Sequence, residues 1–203
     1  MNFRLAEERD LDGVCAMVDS AVEELRRSGI DQWDAVYPAR EDFLSDLRGG
    51  RLYVGFPEGE DVCAAVFAVS RDCDAQYSRG LWKHPESGCR VLHRLCVHPG
   101  YWRRGIAREA LAYAEGEMRR AGAESVRLDV FSGNPAALAL YRGSGYETVG
   151  TAVWRKGLFF LMEKHLMKKH LTEKHPGTGY PGEEAARAPS LPAGEERSAC
   201  GTE

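Results

Sequence analysis

The stretch of the sequence best suited to binding an anion is a glycine-containing loop between a strand and a helix. Residues 95–107 read LCVHPGYWRRGIA. The first N–H groups of a helix lack partners within the helix and, together with the helix dipole, attract anions. Gly105 and Ala107 leave the backbone open to a diphosphate, and Arg103 and Arg104 add positive charge. On these features alone, an anion site and an ordinary loop with solvated arginines both stay open.

Two familiar phosphate-binding motifs are excluded. A P-loop requires GxxxxGK followed by Ser or Thr, and the chain has no such run. A dinucleotide-binding fingerprint requires GxGxxG after the first strand, whereas this loop comes late in the chain and has different spacing.

A second stretch with chemical potential is the helix that begins near Asn134. Pro135 is favoured at a first helical position, so Asn134 is a natural N-cap. Tyr141 lies seven residues further, about two helical turns, and therefore shares a face with Asn134. Its ring is either a half-buried packing group or the carrier of a functional hydroxyl.

The elements that must position these residues alternate along the chain. Hydrophobic periodicity and turn residues predict an α/β domain with one mixed sheet. Strands are predicted at 2–6, 52–56, 62–70, 90–98, 125–131, 146–155 and 158–165. Helices are predicted at 10–27, 40–47, 105–121 and 135–143, and a polar connector at 71–89.

Composition narrows the function classes. A net charge of -4 argues against a general nucleic-acid binder. The longest apolar run, residues 62–69, is far shorter than the roughly 20 residues of a membrane helix. The N-terminus shows no signal-peptide core, so we expect a cytoplasmic protein without a membrane partner. The 6 scattered cysteines favour reduced, buried thiols.

The C-terminal region differs from the rest in composition. Residues 172–203 are rich in Pro and Gly and hold almost no large apolar side chain, which is typical of a disordered tail. Around its start, His165, His170 and His175 recur every five residues. A five-residue period does not place them on one helical face, so a solvated low-complexity segment is favoured over a metal site.

Both motifs resemble the GNAT superfamily of N-acetyltransferases. The family pattern [QR]-x-x-G-x-[GA] after a Val-x-Pro strand end is matched by residues 97–107, except that Trp102 replaces Gln or Arg. The pattern N-x-x-A-x-x-x-Y-x-x-x-G-[FY] is matched by residues 134–146. The resemblance implies an α/β (α+β mixed) fold with a central mixed, splayed sheet flanked by helices. It covers a single domain at 1–167, leaving a tail at 168–203.

The resemblance also implies a site. It implies transfer of an acetyl group from acetyl-CoA to a primary amine, without a metal, and it is compatible with a homodimer. Tyr141 would protonate the departing thiolate, and Asn134 would contact pantetheine as well as cap its helix. The implied pantetheine strand is Leu95, Cys96 and Val97, and the implied pyrophosphate loop is Trp102, Arg103, Arg104, Gly105, Ile106 and Ala107.

The general base is the open question at this stage. The strand at 90–98 has no carboxylate, and His93, placed by strand alternation on the face of Leu95 and Val97, is the candidate base. A structural His93 with deprotonation through water is the alternative. Cys96 as an acylated nucleophile is disfavoured by its apolar neighbours.

The acceptor pocket is expected outside the cofactor motif. Its candidate segments are residues 29–34 and 71–89, the latter with Tyr77 and Trp82. Asp31 and Asp34 are either amine-attracting groups or turn residues, and turn residues are favoured. A non-catalytic acyl-CoA-binding or regulatory module stays open as a second function.

Overall fold

Seven strands and four helices alternate along residues 1–166, the part of the chain that this computed structural model describes. The tail predicted at 168–203, with His170 and His175, lies outside the described residues. The strands are β1 Asn2–Leu5, β2 Leu52–Phe56, β3 Ala65–Ser70, β4 Cys89–Val97, β5 Ser125–Phe131, β6 Glu147–Trp154 and β7 Gly157–His165. The helices are α1 Leu11–Arg27, α2 Arg40–Arg48, α3 Ile106–Arg120 and α4 Pro135–Gly143.

The strands form one mixed sheet that opens in its middle. Its order is β1-β2-β3-β4-β5-β7-β6, and every neighbouring pair is antiparallel except β4 and β5. The parallel β4–β5 ladder covers Cys89–Val91 and then stops, although both strands continue. The two strands therefore diverge toward their carboxyl ends. The predicted α/β fold with a splayed central sheet and flanking helices is confirmed.

Alternating side chains give the sheet two apolar faces. On one face, Phe67, Leu128 and Met162 pack with α3 and α4, and we call this the α3 face. On the other, Val66 and Ala68 pack with α1 and α2, and we call this the α1 face. Period-two alternation in the strands and the apolar stripes of the helices give the sheet these two packed faces. The flanking helices themselves were implied by the family resemblance.

A β-bulge in β4 corrects the predicted orientation of His93. Strand β3 pairs Ala68 with His93 but Val66 with Cys96, so two β4 residues stand opposite one β3 residue. Arg94 adopts a positive φ of 53° at this point. The extra residue reverses the alternation, and His93 lies on the α1 face while Leu95 and Val97 face α3. The prediction that His93 shares their face is wrong.

The connector between β3 and β4 is anchored to the sheet. It contains two short 3-10 turns at Ala75–Arg79 and Glu86–Gly88. The backbone N–H of Lys83 donates to Glu163 at 2.7 Å, and Arg127 donates to the carbonyl of His84 at 2.7 Å. The Arg127 guanidinium also lies 4.4 Å from the Trp82 ring centroid. The polar connector is therefore a fixed part of the domain.

The bounds of the other elements fall within one or two residues of the predicted bounds, apart from β3, which begins at Ala65, three residues later than predicted.

Candidate active site

The loop before α3 presents a row of unpaired backbone amides. Arg103 and Gly105 have positive φ angles of 62° and 84°, which turn successive N–H groups to one side. Among the described residues, no acceptor takes a hydrogen bond from the N–H groups of residues 103–107. Such a nest at a helix N-terminus fits a diphosphate, and a Cβ at Gly105 would meet open space. These residues therefore fit the pyrophosphate of CoA.

Trp102 has a structural role that the family pattern did not indicate. Its indole Nε1 donates to the Val97 carbonyl at 2.7 Å, and its ring packs against both apolar faces. Trp102 thereby ties the loop to the end of β4. This hydrogen bond also occupies the Val97 carbonyl, one of the three β4 carbonyls that were expected to be free to bind pantetheine.

Residues Leu95, Cys96 and Val97 lie on the part of β4 that has separated from β5. Their edge toward β5 has no partner strand, as the predicted pantetheine site requires. Cys96 is buried, and burial raises the pKa of its thiol to about 12. A thiol in this state is a poor nucleophile, so the geometry favours the apolar role of Cys96.

Asn134 and Tyr141 project from α4 toward the same opening. The Asn134 side chain accepts a hydrogen bond from the Ala137 N–H at 3.0 Å, as an N-cap does, and its amide donates to Gln32 at 2.8 Å. Tyr141 is 8% exposed. Burial, and secondarily the charge of Asp129, raise the pKa of Tyr141, which keeps its hydroxyl protonated. A protonated hydroxyl beside this opening is a suitable acid.

A cavity of about 570 Å³ occupies the gap between β4 and β5. It brings together four predicted site residues: His93, Leu95, Asn134 and Tyr141. Tyr141 reaches it from the α3 face, and His93 reaches it from the α1 face. The cavity therefore connects the two sides of the sheet. A second cavity, of about 810 Å³ beside α1, is lined by Asp34 of the predicted acceptor segment but by none of the predicted catalytic or cofactor-binding residues.

Asp129 on β5 lines the same cavity and was missed in the sequence. It pairs across the sheet with Leu161, whose side chain packs on the side opposite Leu128 and Met162. The buried Tyr77 hydroxyl donates to Asp129 at 2.8 Å. Burial raises the pKa of Asp129 to about 6, partly offset by that hydrogen bond. The available signal was a carboxylate in a central strand, between the apolar Leu128 and Val130, because a buried charge requires a partner or a role.

His93 is held by hydrogen bonds on one ring nitrogen. Its Nε2 lies 3.1 Å from Ser70 Oγ and 3.2 Å from the Asp72 carbonyl. A carbonyl only accepts, so the contact with Asp72 places the proton on Nε2. Burial, followed by the charge of Arg94, lowers the pKa of His93. This environment favours a neutral, structurally bonded ring.

The two predicted acceptor segments both reach the cavity, through Gln32 and Trp33 and through residues 72–74. Asp34 accepts from the Val36 N–H at 2.9 Å and pairs with Arg155 at 2.7 Å. Asp31 pairs with Lys156 at 2.9 Å. Asp34 is thus engaged in a turn, in agreement with the favoured prediction, whereas Asp31 is engaged only in an ion pair.

Two further features of residues 1–166 bear on the class of protein. No group of three or more His, Cys, Asp or Glu side chains within this range is arranged to hold a metal ion. No helix in the same range is long and apolar enough to cross a membrane.

Comparison with known proteins agrees with the geometry of the site. The model of the acetyltransferase (GNAT) family matches residues 17–146, which include β4, the pyrophosphate loop and α4. The chain belongs to the GNAT acetyltransferase family. As a GNAT protein it is an acyltransferase, and its family chemistry is acetyl transfer. A search of curated protein sequences found no match.

Solved GNAT structures share this fold. A GNAT acetyltransferase from Streptococcus agalactiae is 24% identical with a TM-score of 0.72, covering 82% of this chain and 96% of its own. The ribosomal-protein-S18-alanine N-acetyltransferase of Escherichia coli is 18% identical with a TM-score of 0.59, covering 84% and 97%. The PaiA N-acetyltransferase of Thermoplasma acidophilum, solved with coenzyme A, is 18% identical with a TM-score of 0.63, covering 81% and 98%.

Proposed function

We propose that this GNAT protein transfers an acetyl group from acetyl-CoA directly to a primary amine, with Asp129 as base and Tyr141 as acid. The observation that supports this most is the cavity through the splayed sheet, which holds both side chains and opens toward both faces. The pyrophosphate loop and Tyr141 belong to the α3 side, and Asp129 belongs to the α1 side. Two substrates can therefore meet in the gap without a covalent enzyme intermediate.

The residues divide the acid–base work between them. An ammonium has no lone pair, so the incoming amine must lose a proton, and Asp129 accepts it. The amine nitrogen then bonds to the thioester carbonyl carbon, and the carbon–sulfur bond breaks. Tyr141 donates its proton to the leaving thiolate and regains one from the nitrogen of the forming amide, while Asp129 releases its proton to water. Burial raises the pKa of both groups, which keeps Tyr141 protonated and makes Asp129 a stronger base than an exposed carboxylate.

The cofactor would be held by three groups of residues. The unpaired N–H groups of residues 103–107, with Arg103 and Arg104, would bind the pyrophosphate. The open edge of β4 at Leu95 and Cys96 would pair with the pantetheine amides, as an added strand does. Asn134 would contact pantetheine if its side-chain amide gave up the hydrogen bond to Gln32 and donated to the ligand instead.

The experiment compares Asp129→Asn with His93→Gln, using free thiol release from acetyl-CoA over a panel of amines. Asn keeps the acceptor for Tyr77, so the fold should survive, and kcat/KM should fall by about 10²-fold or more. His93→Gln should cost less than tenfold. The wild-type kcat/KM should rise as pH increases through about 6, where Asp129 loses its proton. Loss of activity in His93→Gln with full activity in Asp129→Asn would reverse the assignment.

The second candidate is a non-catalytic acyl-CoA-binding module, since β4 has no carboxylate that could act as base. The two functions differ in one measurement. A binding module takes up acetyl-CoA in calorimetry but releases no thiol with any amine. The cytoplasmic location and the homodimer stay predictions.

A further inference from the structure

We propose that the acceptor is a dicationic amine, whose second ammonium binds between Asp74 and Trp154 at the rim of the cavity. This inference rests on the proposed function, because it assumes that the first amine meets Asp129. It names a substrate class and a specificity-determining residue for the same site.

The cationic side chains that line the cavity are already neutralised. Arg51 pairs with Asp72 at 2.8 Å, and Arg94 pairs with Asp46 through Nε at 2.9 Å. Arg155 and Lys156 pair with Asp34 at 2.7 and 2.8 Å. His93 is kept neutral by burial, which lowers its pKa. The cavity therefore has no spare positive charge, among the described residues, to attract an anionic acceptor.

Three cavity carboxylates, in contrast, have no cationic partner within residues 1–166. One of them, Asp42, is engaged at the start of α2, where it accepts from the Ala39 N–H at 2.7 Å. Asp129 contacts the Tyr77 hydroxyl, and Asp74 accepts only a long hydrogen bond of 3.2 Å from Trp154 Nε1. Asp74 begins the 3-10 turn of Tyr77, but its side chain makes no capping hydrogen bond. Besides Asp42, the site thus holds two carboxylates without a cation, one deep and one at the rim.

Tyr77 connects the parts of the cavity wall that carry these two carboxylates. Its backbone N–H donates to the Asp74 backbone carbonyl at 2.9 Å, while its hydroxyl donates to the Asp129 carboxylate. Asp74 and Asp129 both line the cavity. An acceptor with two ammonium groups can therefore meet one carboxylate with each.

Aromatic rings form the wall near Asp74. Trp154 packs edge-on against Phe159 with centroids 5.1 Å apart, and against Tyr77 at 6.4 Å. An indole face attracts a cation, and the apolar rings suit the methylenes of an alkyl chain. An uncharged aromatic amine would satisfy this wall but would leave Asp74 unneutralised. A diamine can pack its alkyl chain against the aromatic rings and place an ammonium group at each of the two carboxylates.

The test measures kcat/KM for putrescine and cadaverine against the matched monoamines n-butylamine and n-pentylamine. In the wild type, the diamines should exceed the monoamines by about tenfold, which is about 1.4 kcal/mol. Asp74→Asn should lower the diamine value by about fivefold, through KM, and leave the monoamine value unchanged. Asn is a good capping residue, so the turn should be preserved. Asp19→Asn, an exposed change on α1 outside the cavity, should alter neither value.

The outcomes separate this inference from the proposed function. Monoamines and diamines acetylated equally well would overturn the dicationic acceptor while acetyl transfer stands. An equal loss with both amine types in Asp74→Asn would likewise reject the rim site. If acetyl-CoA binds but no amine releases thiol, the proposed function fails, and this inference fails with it.

Discussion

The two side chains proposed as base and acid share one cavity, and their surroundings give them different protonation states. Asp129 has the Tyr77 hydroxyl as donor and an apolar enclosure that raises its pKa to about 6. Within residues 1–166, no neighbour of Tyr141 stabilises a phenolate, and burial together with the negative charge of Asp129 raises its pKa. Near neutral pH, Asp129 is therefore mainly a carboxylate and Tyr141 a protonated phenol, as the proposed roles require.

The prediction at this scale concerns Tyr141. Tyr141→Phe keeps the ring and its packing but removes the proton for the leaving thiolate. We expect near-normal acetyl-CoA affinity and a kcat lower by at least about tenfold, because the lost interaction acts mainly in the transition state. Steady-state kinetics with a confirmed amine, together with calorimetry, provide the check. Tyr113→Phe, a matched change outside the cavity, should leave kcat intact, and undiminished turnover in Tyr141→Phe would make Tyr141 a packing residue.

At the scale of elements, two departures from regular geometry build the site. The bulge at Arg94 turns His93 and Arg94 to the α1 face, where Arg94 binds Asp46 of α2. The loop at residues 103–105 uses positive φ angles to align its amides. Both features cost backbone energy, and both occur where the sheet splays.

The loop supports a prediction at Gly105. A Cβ at this position meets no neighbouring atom, so Gly105→Ala should suffer only the left-handed backbone cost of about 1 kcal/mol. Gly105→Glu adds bulk and negative charge where the diphosphate approaches. We expect it to fold but to weaken acetyl-CoA binding by at least about a hundredfold, or about 2.8 kcal/mol. Unchanged calorimetric affinity in folded Gly105→Glu would remove the pyrophosphate assignment.

The connector supports a stability prediction. Glu163 is buried, lies 3.5 Å from the buried Arg127 and accepts from the Lys83 N–H. Glu163→Leu leaves that cation unpaired and should destabilise the fold by about 3 kcal/mol, lowering Tm by about 6 to 12 °C. The exposed Glu147, which pairs with Lys83, supplies the control, and Glu147→Gln should cost less than about 1 kcal/mol. Equal Tm shifts in thermal denaturation would contradict the role assigned to the buried pair.

At the scale of the whole molecule, the sheet separates the α3 side from the α1 side, and the cavity between β4 and β5 connects them. The α3 side carries the anion-binding loop, and the α1 side carries the carboxylates and aromatic rings of the proposed acceptor site. In the proposed mechanism each substrate therefore binds on its own side, and the two meet in the gap between β4 and β5.

The C-terminal region gives the prediction at this scale. Residues 172–203 hold little apolar surface that could be buried, on composition alone. Truncation after Leu171 should therefore leave Tm and acetyl-CoA affinity essentially unchanged. Differential scanning calorimetry of the full and truncated chains makes the comparison, and a large drop in Tm would show that the domain extends beyond the predicted boundary at 167.

The sequence by itself determined the order of the elements, the α/β class and the family. These depend on local quantities: hydrophobic periodicity, turn residues, and motifs such as those at residues 97–107 and 134–146. The N-cap at Asn134 and its shared opening with Tyr141 also follow from helical spacing, and the structure agrees with both.

Only the tertiary structure decided which distant residues meet. Tyr77 and Asp129 are 52 residues apart in the chain, and no periodicity relates them. The side of the sheet on which His93 lies depends on a one-residue bulge in β4. A prediction from the sequence pattern cannot detect this bulge, because it assumes that side chains alternate regularly along the strand. The charge state of the cavity likewise required knowing that Asp34, Asp46 and Asp72 are paired while Asp74 and Asp129 are not. The ion pairs of these aspartates depend on how separate elements pack together, so they cannot be read from any local stretch of the sequence.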